Sequence, residues 1–396
     1  MSRMDVQAAH PNTAPPRRPR VLVMADWYLP GYRAGGPIRS VANFAGQLED
    51  ELDIHIFTTD RDHGCESPYA DVQPDQWVPR SRHRVYYASP PRLRWSSILR
   101  IIRELQPDYL YLNSMFSRYM TVYPLAMHRL GLFRVRVLLA PRGMLMDSAM
   151  AGKSVRKRLF IGLLRVLGVT GGVRFQATND LEADDVRRRF GWGADIVRID
   201  NLPALPHPST PPPPKEVGRL KVAFVGRSHP IKNLDLLLCA MDGVEAAIEL
   251  TAVVAREDEA YALRCRALAA ALPPRHQVHF LEGMPHDAVG EILRSTHIFA
   301  LPTKGENFGH AIFEALSFGR PVLVSDQTPW RGLEALGAGM DLPLSGPEPF
   351  RKGLEAFAAM DHATLLGWCR GAWELARARS QEARLVACKN YLDQFK

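Results

Sequence analysis

The sequence predicts an α/β protein of two Rossmann-like, doubly wound domains that face a central cleft, and three observations support this fold class. Short apolar runs typical of buried strands alternate with amphipathic helical patterns along both halves of the chain. A proline-rich stretch at 205–215 separates the halves and is compatible only with an extended connector. The 396 residues also exceed what a single hydrophobic core usually serves.

The first half opens with a strand–loop–helix–strand unit. An apolar run at 20–25 predicts a buried strand, the loop at 26–37 contains two adjacent glycines, and a helix at 38–52 leads to a second strand at 54–59. Such a unit is typical of a doubly wound sheet. Similar patterns predict strands at 85–87, 109–112, 137–140, 173–178 and 196–199, and helices at 96–105, 121–130 and 181–190.

The second half repeats this alternation. Strands are predicted at 220–226, 247–254, 278–281, 297–302 and 322–325. Helices are predicted at 234–241, 260–272 and 287–294, and the segment 349–396 is helical by its period. Two alternating halves joined by one linker therefore predict a cleft between two domains.

Composition and charge narrow the classes of function. No apolar run reaches membrane-spanning length, and the arginine- and proline-rich stretch 1–20 lacks the apolar region of a secretory signal. The five cysteines are scattered without a C-x-x-C pair, which favours a reducing cytosol and no structural zinc. Residues 1–200 contain 29 Lys and Arg against 20 Asp and Glu, whereas residues 201–396 contain 21 against 22. The basic first half suggests an anionic partner: a membrane surface, a phosphorylated substrate or nucleic acid.

Two carboxylates mark the junction that follows the strand at 297–302. Glu306 and Glu314 lie eight positions apart in a stretch that we predict to open a helix, so they would share one helix face about 12 Å apart. Gly305 and Gly309 would allow close approach of the backbone to a ligand. Ligands bind beyond the carboxyl ends of strands in open parallel sheets, which is where the two glutamates would lie. The two carboxylates could therefore bind the hydroxyls of two linked sugars.

A loop with two cations follows the first strand of the second half. Arg227 and Lys232 lie five residues apart, immediately before a predicted helix whose cap is Asn233. An arginine fork, a lysine charge and a helix N-terminus together suit a diphosphate, although a surface loop with ordinary charges is the alternative. The adjacent Gly35 and Gly36 occupy the equivalent place in the first half, where they would form either a phosphate-binding loop or a flexible turn.

Two further motifs allow a functional and a structural interpretation. The sequence Asp60-Arg61-Asp62 resembles a metal-binding D-x-D, but a solvated loop is the simpler interpretation, and we predict no metal site. The basic and apolar segment 153–167 has Phe160, Leu163, Leu164 and Leu167 on one predicted face. That segment would either rest on an anionic membrane surface or pack against the core with a charged outer face.

Together these motifs resemble the retaining glycosyltransferases of family 4, which have the GT-B fold. Two longer motifs carry the resemblance: the two-glutamate stretch with the run that follows it, at 305–322, and the two-cation loop, at 225–233. Three shorter motifs, at 325–330, 141–144 and 35–40, add to it. The shorter motifs are similar to those of a bacterial surface-polysaccharide branch. The likeness extends over roughly residues 20–390.

The resemblance implies a role for individual residues. Arg227 and Lys232 would bind the donor diphosphate and stabilise the leaving group, and Glu306 would bind hydroxyls of the donor sugar, so these three are the predicted catalytic residues. The other predicted donor-binding residues are Gly35, Gly36, Gly226, Gly283, Asn307, Phe308, Gly309, His310 and Glu314.

The acceptor side is represented by Asn113 and Arg142. Many family members have a histidine where this chain has Asn113. An asparagine can form a hydrogen bond with a sugar hydroxyl, but it cannot serve as a base.

The resemblance also implies a division of the chain into domains. We expect a disordered tail at 1–18, an acceptor-binding N-terminal domain at 19–204 and a linker at 205–218. A C-terminal domain for the nucleotide-sugar donor would follow at 219–380, and a helix at 381–396 would pack back on the N-terminal domain.

The implied activity is retaining, metal-independent transfer of a hexosyl group from a nucleotide-sugar to a lipid-linked saccharide acceptor in polysaccharide biosynthesis. The enzyme would be cytoplasmic, peripheral on the inner face of the membrane through 153–167, with no cofactor and no nucleic-acid partner. Two alternatives stay open: transfer to a soluble sugar, and non-catalytic anion binding on the same scaffold. The paired glutamates disfavour a sugar-nucleotide epimerase.

Overall fold

The fold is described from a computed structural model, which covers residues 17–146, 154–204, 207–255, 257–282, 284 and 286–395. Within these residues the chain forms two sheets, one of eight and one of six strands, each flanked by helices. The predicted α/β architecture of two doubly wound domains is therefore confirmed.

The N-terminal sheet is parallel except at one edge. Its strands are β1 Arg20–Met24, β2 Asp53–Thr59, β3 Trp77–Arg80, β4 His83–Ala88, β5 Tyr109–Leu112, β6 Arg136–Leu139, β7 Val173–Ala177 and β8 Asp195–Arg198. Their order is β3-β4-β2-β1-β5-β6-β7-β8, with β3 antiparallel to β4. The strand order reverses between β1 and β5, so the loops after these strands border the crevice where ligands bind in such sheets.

Five α-helices connect these strands within the described residues: α1 Gly36–Leu48, α2 Trp95–Leu105, α3 Tyr123–Arg129, α4 Ser154–Val166 and α5 Asp180–Phe190. Helix α1 buries Val41, Phe44, Ala45 and Leu48 against the sheet. The Asn179 side chain accepts a hydrogen bond from the Glu182 amide at 2.8 Å and caps α5.

The C-terminal sheet is wholly parallel, and its strand order is β11-β10-β9-β12-β13-β14. The strands are β9 Arg219–Arg227, β10 Ala247–Ala255, β11 Gln277–Glu282, β12 Ile298–Leu301, β13 Val322–Ser325 and β14 Gly339–Leu342. Its helices are α6 Leu234–Asp242, α7 Glu259–Ala271, α8 His286–Ser295, α9 His310–Ser317, α10 Glu348–Ala359 and α11 His362–Phe395. The order reverses between β9 and β12, which are the two strands that precede the two-cation loop and the two-glutamate stretch.

Helix α11 belongs to both domains. Leu365, Ala372 and Ala376 lie in the core of the C-terminal domain, whereas Tyr391 and Phe395 are buried in the core of the N-terminal domain. The predicted boundary between 380 and 381 falls inside this single helix of 34 residues.

The described part of the linker is packed rather than loose. The Arg320 side chain is fully buried and donates to the carbonyl oxygens of Thr210 and Pro211 at 2.9 and 3.1 Å. Lys215 is also buried and donates to the carbonyl oxygens of Ala358 and Met360. Residues 205 and 206 of the predicted linker, and residues 1–16 of the predicted tail, lie outside the described residues.

Candidate active site

A cleft of about 1230 Å³ lies between the two domains and is lined by both. Of the fourteen residues predicted to form the site, twelve line this cleft: Gly35, Gly36, Arg142, Gly226, Arg227, Lys232, Glu306, Asn307, Phe308, Gly309, His310 and Glu314. Gly283 lies outside the described residues, although its neighbours Glu282 and Met284 line the cleft. Asn113 is buried beneath the wall.

The two motifs of the C-terminal domain meet at an ion pair. Lys232 pairs with Glu306, and the two side chains are only 16% and 13% exposed. The loops are also joined by a hydrogen bond from the Lys304 amide to the carbonyl oxygen of Ile231 at 2.7 Å. Because β9 and β12 are adjacent in the sheet, the ends of these strands bring both loops to the same edge.

The structure corrects the predicted helix at the two glutamates. Helix α9 begins at His310, so Glu306 lies in the preceding loop, and the prediction that both carboxylates share one helix face is wrong. Gly309 adopts a left-handed conformation (φ 80°), which ends the loop and starts the helix. The first N–H groups of α9 have no acceptor within the helix and can donate hydrogen bonds to an anion.

The loop between β12 and α9 is held from behind by the segment that follows β13. Trp330 Nε1 donates to the carbonyl oxygen of Phe308 at 2.7 Å, and the Glu306 amide donates to Gln327 O at 3.3 Å. These contacts give a structural role to the motif at 325–330, which fixes the backbone around the candidate sugar site.

Arg227 lies at the end of β9 and is paired with Glu257 at 2.9 Å. Both cations of the loop therefore have carboxylate partners from neighbouring segments. Asn233 precedes α6 in a left-handed conformation and makes no side-chain capping hydrogen bond, so it occupies the cap position without the predicted capping contact.

In the N-terminal domain, the glycine loop is positioned by Asp62. Its carboxylate accepts from the backbone amides of Tyr32 and Arg33 at 2.8 and 3.1 Å. Asp60 and Asp62 are both buried, so the predicted solvated loop is wrong, and Asp62 is a supporting residue of the cleft that the sequence did not identify. Among the described residues, no cluster of three or more His, Cys, Asp or Glu side chains could hold a metal ion.

His310 connects the domains at the base of the cleft. Its Nε2 lies 2.9 Å from the Ser40 hydroxyl on α1. Burial between the domains, together with the positive charges of Arg142, Arg39 and Lys232, lowers the pKa of His310 to about 3. His310 is therefore neutral near pH 7 and can donate or accept one hydrogen bond without adding charge.

We expect acid to destabilise the folded state through His310. Between pH 6.5 and about 3 the unfolded chain binds a proton at this side chain that the folded chain does not, so stability falls as the pH falls through this window. The free energy of unfolding should decrease by up to about 1.4 kcal/mol per pH unit from this group. Urea titrations at pH 7 and pH 5 should therefore show a larger loss for the wild type than for His310→Gln. The control His279→Gln, at an exposed position, should behave like the wild type.

Asn307 makes the second contact between the domains. Its Oδ1 lies 2.7 Å from the Thr178 hydroxyl and 3.2 Å from Asn179 Nδ2. Glu182 supports these partners, since its buried carboxylate accepts from the Thr178 amide at 2.8 Å and from the Gly143 amide at 2.7 Å. The sequence did not predict a place in the site for Thr178, Asn179 or Glu182.

Arg142 and Asn113 form one unit. Arg142 adopts a left-handed backbone conformation (φ 56°), and its guanidinium donates to Asn113 Oδ1 through Nη2 at 2.6 Å and through Nε at 3.1 Å. Asn113 therefore orients a cleft-lining arginine instead of lining the cleft itself.

Two doubly wound domains facing a cleft define the GT-B class of fold. Residues 210–335 match the family model of glycosyl transferases group 1, a segment that contains Arg227, Lys232, Glu306 and Glu314. The C-terminal domain therefore carries the segment typical of group 1 glycosyltransferases.

Sequence relatives match a limited part of the chain. A D-inositol 3-phosphate glycosyltransferase of Nocardia farcinica is 34% identical over 122 residues, which is 26% of this chain and 25% of that protein. The match thus spans about a quarter of the length of that relative.

Solved structures match nearly the whole chain. The sucrose-phosphate synthase of Thermosynechococcus elongatus has a TM-score of 0.72 at 16% identity, covering 96% of this chain and 99% of that one. The Anabaena protein Alr3699/HepE, solved in complex with UDP and glucose, has a TM-score of 0.68 at 12% identity, covering 95% and 100%. At these identities the likeness establishes the shared fold.

Proposed function

We propose that the protein is a glycosyltransferase that transfers a hexosyl group from a nucleotide-sugar donor to a saccharide acceptor. The observation that carries this proposal is the convergence of Arg227, Lys232, Glu306 and the N-terminus of α9 at one edge of the C-terminal sheet. All of them lie within the matched segment 210–335. The complex of Alr3699/HepE with UDP favours a uridine nucleotide as the donor.

The arrangement suits departure of a nucleoside diphosphate. Arg227 and Lys232 would exchange their carboxylate partners for the donor phosphates and neutralise the negative charge that develops on the leaving group. Glu306, released from Lys232, would accept hydrogen bonds from the donor sugar, and Glu314 from the ribose. Because protein cations supply the neutralising charge, we propose a metal-independent reaction without a resident cofactor. We propose retention of the anomeric configuration from the resemblance of the motifs at 225–233 and 305–322 to those of family 4.

The donor assignment is tested with the purified full chain. UDP-glucose, GDP-glucose and ADP-glucose are compared by thermal stabilisation and by release of the nucleoside diphosphate, since a tightly bound ligand raises the unfolding temperature by mass action. We expect UDP-glucose to stabilise the protein most and to release UDP. Absence of both stabilisation and release with all three donors would contradict the proposal and favour the non-catalytic alternative.

We further propose a lipid-linked acceptor, reached from the inner face of the cytoplasmic membrane, in polysaccharide biosynthesis. The supporting observation is the outer face of α4, where Val155, Leu159, Leu163 and Val166 are 54–86% exposed. These positions fall within about 80° of the helix circumference, and exposed arginines 156, 158 and 165 flank them. Basic residues beside an apolar stripe match an anionic bilayer surface.

This exposed stripe differs from the predicted face of the segment 153–167. Leu164 is 3% exposed, and Phe160 packs against Phe116, whereas Leu163 and Leu167 point outward. The apolar residues are thus divided between the core and the surface. Lys157 lies on the opposite side of the same helix, where it lines the cleft and lies over the Phe116 ring, so α4 presents one face to the cleft and the exposed stripe on another. Among the described helices, none is long and apolar enough to cross a membrane.

Vesicle flotation distinguishes the lipid-linked from the soluble acceptor. The wild type should co-float with phosphatidylglycerol vesicles, and the double variant Leu159→Glu, Leu163→Glu should bind at least about 10-fold more weakly because two apolar contacts are lost. Leu385→Glu, at a position on α11 that is 76% exposed, serves as the matched control and should float normally. Absence of wild-type flotation would favour a soluble sugar acceptor.

A further inference from the structure

The two walls of the cleft differ in charge. The C-terminal wall carries four glutamates and two cations: Glu257, Glu282, Glu306, Glu314, Arg227 and Lys232. The described side chains of the N-terminal wall include four cations and no carboxylate, the cations being Arg33, Arg39, Arg142 and Lys157. The lining of the N-terminal wall is therefore more basic than that of the donor wall, which suits a second anion.

Arg142 is the fixed cation of this wall. Its guanidinium donates to Asn113 Oδ1, Asn201 Oδ1 and the Tyr111 hydroxyl, all of which are neutral acceptors. These bonds occupy four of the five guanidinium N–H groups. The hydrogen bonds thus fix the guanidinium through neutral acceptors, while the buried Glu182 carboxylate, which is bound by the Thr178 and Gly143 amides, acts on its charge from nearby.

The support for Arg142 reaches back to the last helix. The Tyr111 hydroxyl donates to Gln176 Oε1, and Gln176 Nε2 donates to the Tyr391 hydroxyl at 2.8 Å. The two tyrosine hydroxyls lie 3.1 Å apart, which closes a fully buried ring of hydrogen bonds between β5, β7 and α11. Because every donor in the ring has an acceptor, Arg142 cannot swing away at low cost.

The donor does not account for this charge. Its two phosphates already have Arg227, Lys232 and the N-terminus of α9 on the other wall. Arg142 instead lies on the N-terminal wall, close enough to His310 for its positive charge to lower the pKa of that side chain. A phosphate monoester, with a charge of about −1.5 to −2 near neutral pH, suits a wall with several cations better than a single carboxylate does.

We propose that the acceptor is a phosphorylated saccharide and that its phosphate binds against Arg142 on the N-terminal wall. This inference rests on the proposed glycosyltransferase function and names its acceptor class. The phosphate belongs either to a soluble sugar phosphate or to a saccharide linked to a lipid phosphate, and both present the same group to Arg142.

Calorimetric titration of the full chain, saturated with UDP, tests the site. Inorganic phosphate should bind to the wild type, and Arg142→Gln should weaken this binding about 10- to 100-fold while changing UDP affinity less than about two-fold. The matched control is Arg136→Gln, since Arg136 is exposed at the start of β6, the strand that precedes Arg142, and donates to Tyr109 instead of reaching the cleft. Arg142→Lys, which keeps the charge, should recover part of the affinity.

Two further ligands identify the source of the phosphate. Tighter binding of glucose 6-phosphate than of glucose indicates a soluble acceptor, and binding to phosphatidylcholine vesicles only when they contain a polyprenyl phosphate indicates a lipid-linked one. If Arg142→Gln does not fold, the wild type alone tests the inference. It must then bind glucose 6-phosphate at least about 10-fold more tightly than glucose, or bind vesicles with the polyprenyl phosphate at least about 10-fold more tightly than vesicles without it.

The inference is overturned if phosphate does not bind, or if it binds equally to Arg142→Gln. Phosphate binding that depends on Arg142 in a chain that binds no nucleotide would instead overturn the proposed donor function and leave the anion site standing. The two failures are therefore distinguishable.

Discussion

The Lys232→Ala variant is expected to release UDP from UDP-glucose at least about 100-fold more slowly than the wild type. In the proposed mechanism Lys232 brings a positive charge to the point where the diphosphate leaves, and only 16% of its side chain is exposed. The low exposure strengthens that interaction relative to water. Because Lys232 also pairs with Glu306, its removal leaves the carboxylate that we propose to bind the donor sugar without its partner. Glu306→Ala should cause a comparable loss by removing the acceptor of the sugar hydroxyls.

The matched control for this prediction is Lys221→Ala. Lys221 lies on the same strand β9, but its side chain is 44% exposed and is paired with Glu249 at 3.6 Å outside the cleft. This control should keep wild-type activity, and circular dichroism should show that all three variants fold. Release of UDP by both site variants at more than about a third of the wild-type rate would refute the assignment of the donor site.

The parts of the site that follow strands directly were predictable from the sequence. Arg227 and Lys232 lie between an apolar strand and a helix, and Glu306 follows β12 in the same way. Because β9 and β12 are neighbours in the sheet, the two loops that follow them lie side by side. The predicted start of α9 was wrong because helical periodicity does not show that the helix begins only after Gly309, which has a left-handed conformation.

The supporting residues were not predictable because their partners are remote in sequence. Thr178 and Asn179 meet Asn307 across some 130 positions, and Glu182 is recognisable locally only as a residue of a capped helix turn. The edge strands β3 and β14 were missed for a different reason. Each has only four residues, none of the β3 residues is buried, and β3 contains Pro79, which weakens its strand pattern.

The long helix α11 illustrates what periodicity leaves open. The apolar period at 349–396 indicated helix, but this period is the same for a helix that packs on one hydrophobic core and for a helix that packs on two. The structure shows a change of partner along the helix, from Ala376 in the C-terminal core to Ala387 and Tyr391 in the N-terminal core. Because Tyr391 belongs to the hydrogen-bonded ring behind Arg142, this change of partner links the helix to a cleft-lining arginine.

Phe395→Ala is expected to destabilise the N-terminal domain by about 3–5 kcal/mol. The Phe395 ring is fully buried at the end of α11 and lies 5.1 Å from the Tyr109 ring and 5.9 Å from the rings of Phe44 and Tyr111. Truncation would leave a cavity among aromatic rings that β5 and α1 hold apart. A loss of this size is a large fraction of the 5–15 kcal/mol by which domains are usually stable.

Urea titration followed by circular dichroism measures this effect, with Leu385→Ala as the control. Leu385 lies on the same helix but is 76% exposed, so its truncation should change the free energy of unfolding by less than about 0.5 kcal/mol. Both variants remove a large apolar side chain from α11, and they differ in whether that side chain is buried in the N-terminal core. A loss below about 1 kcal/mol for Phe395→Ala would mean that the end of α11 detaches at little cost. The ring of Tyr111, Gln176 and Tyr391 could then not hold Arg142 in place.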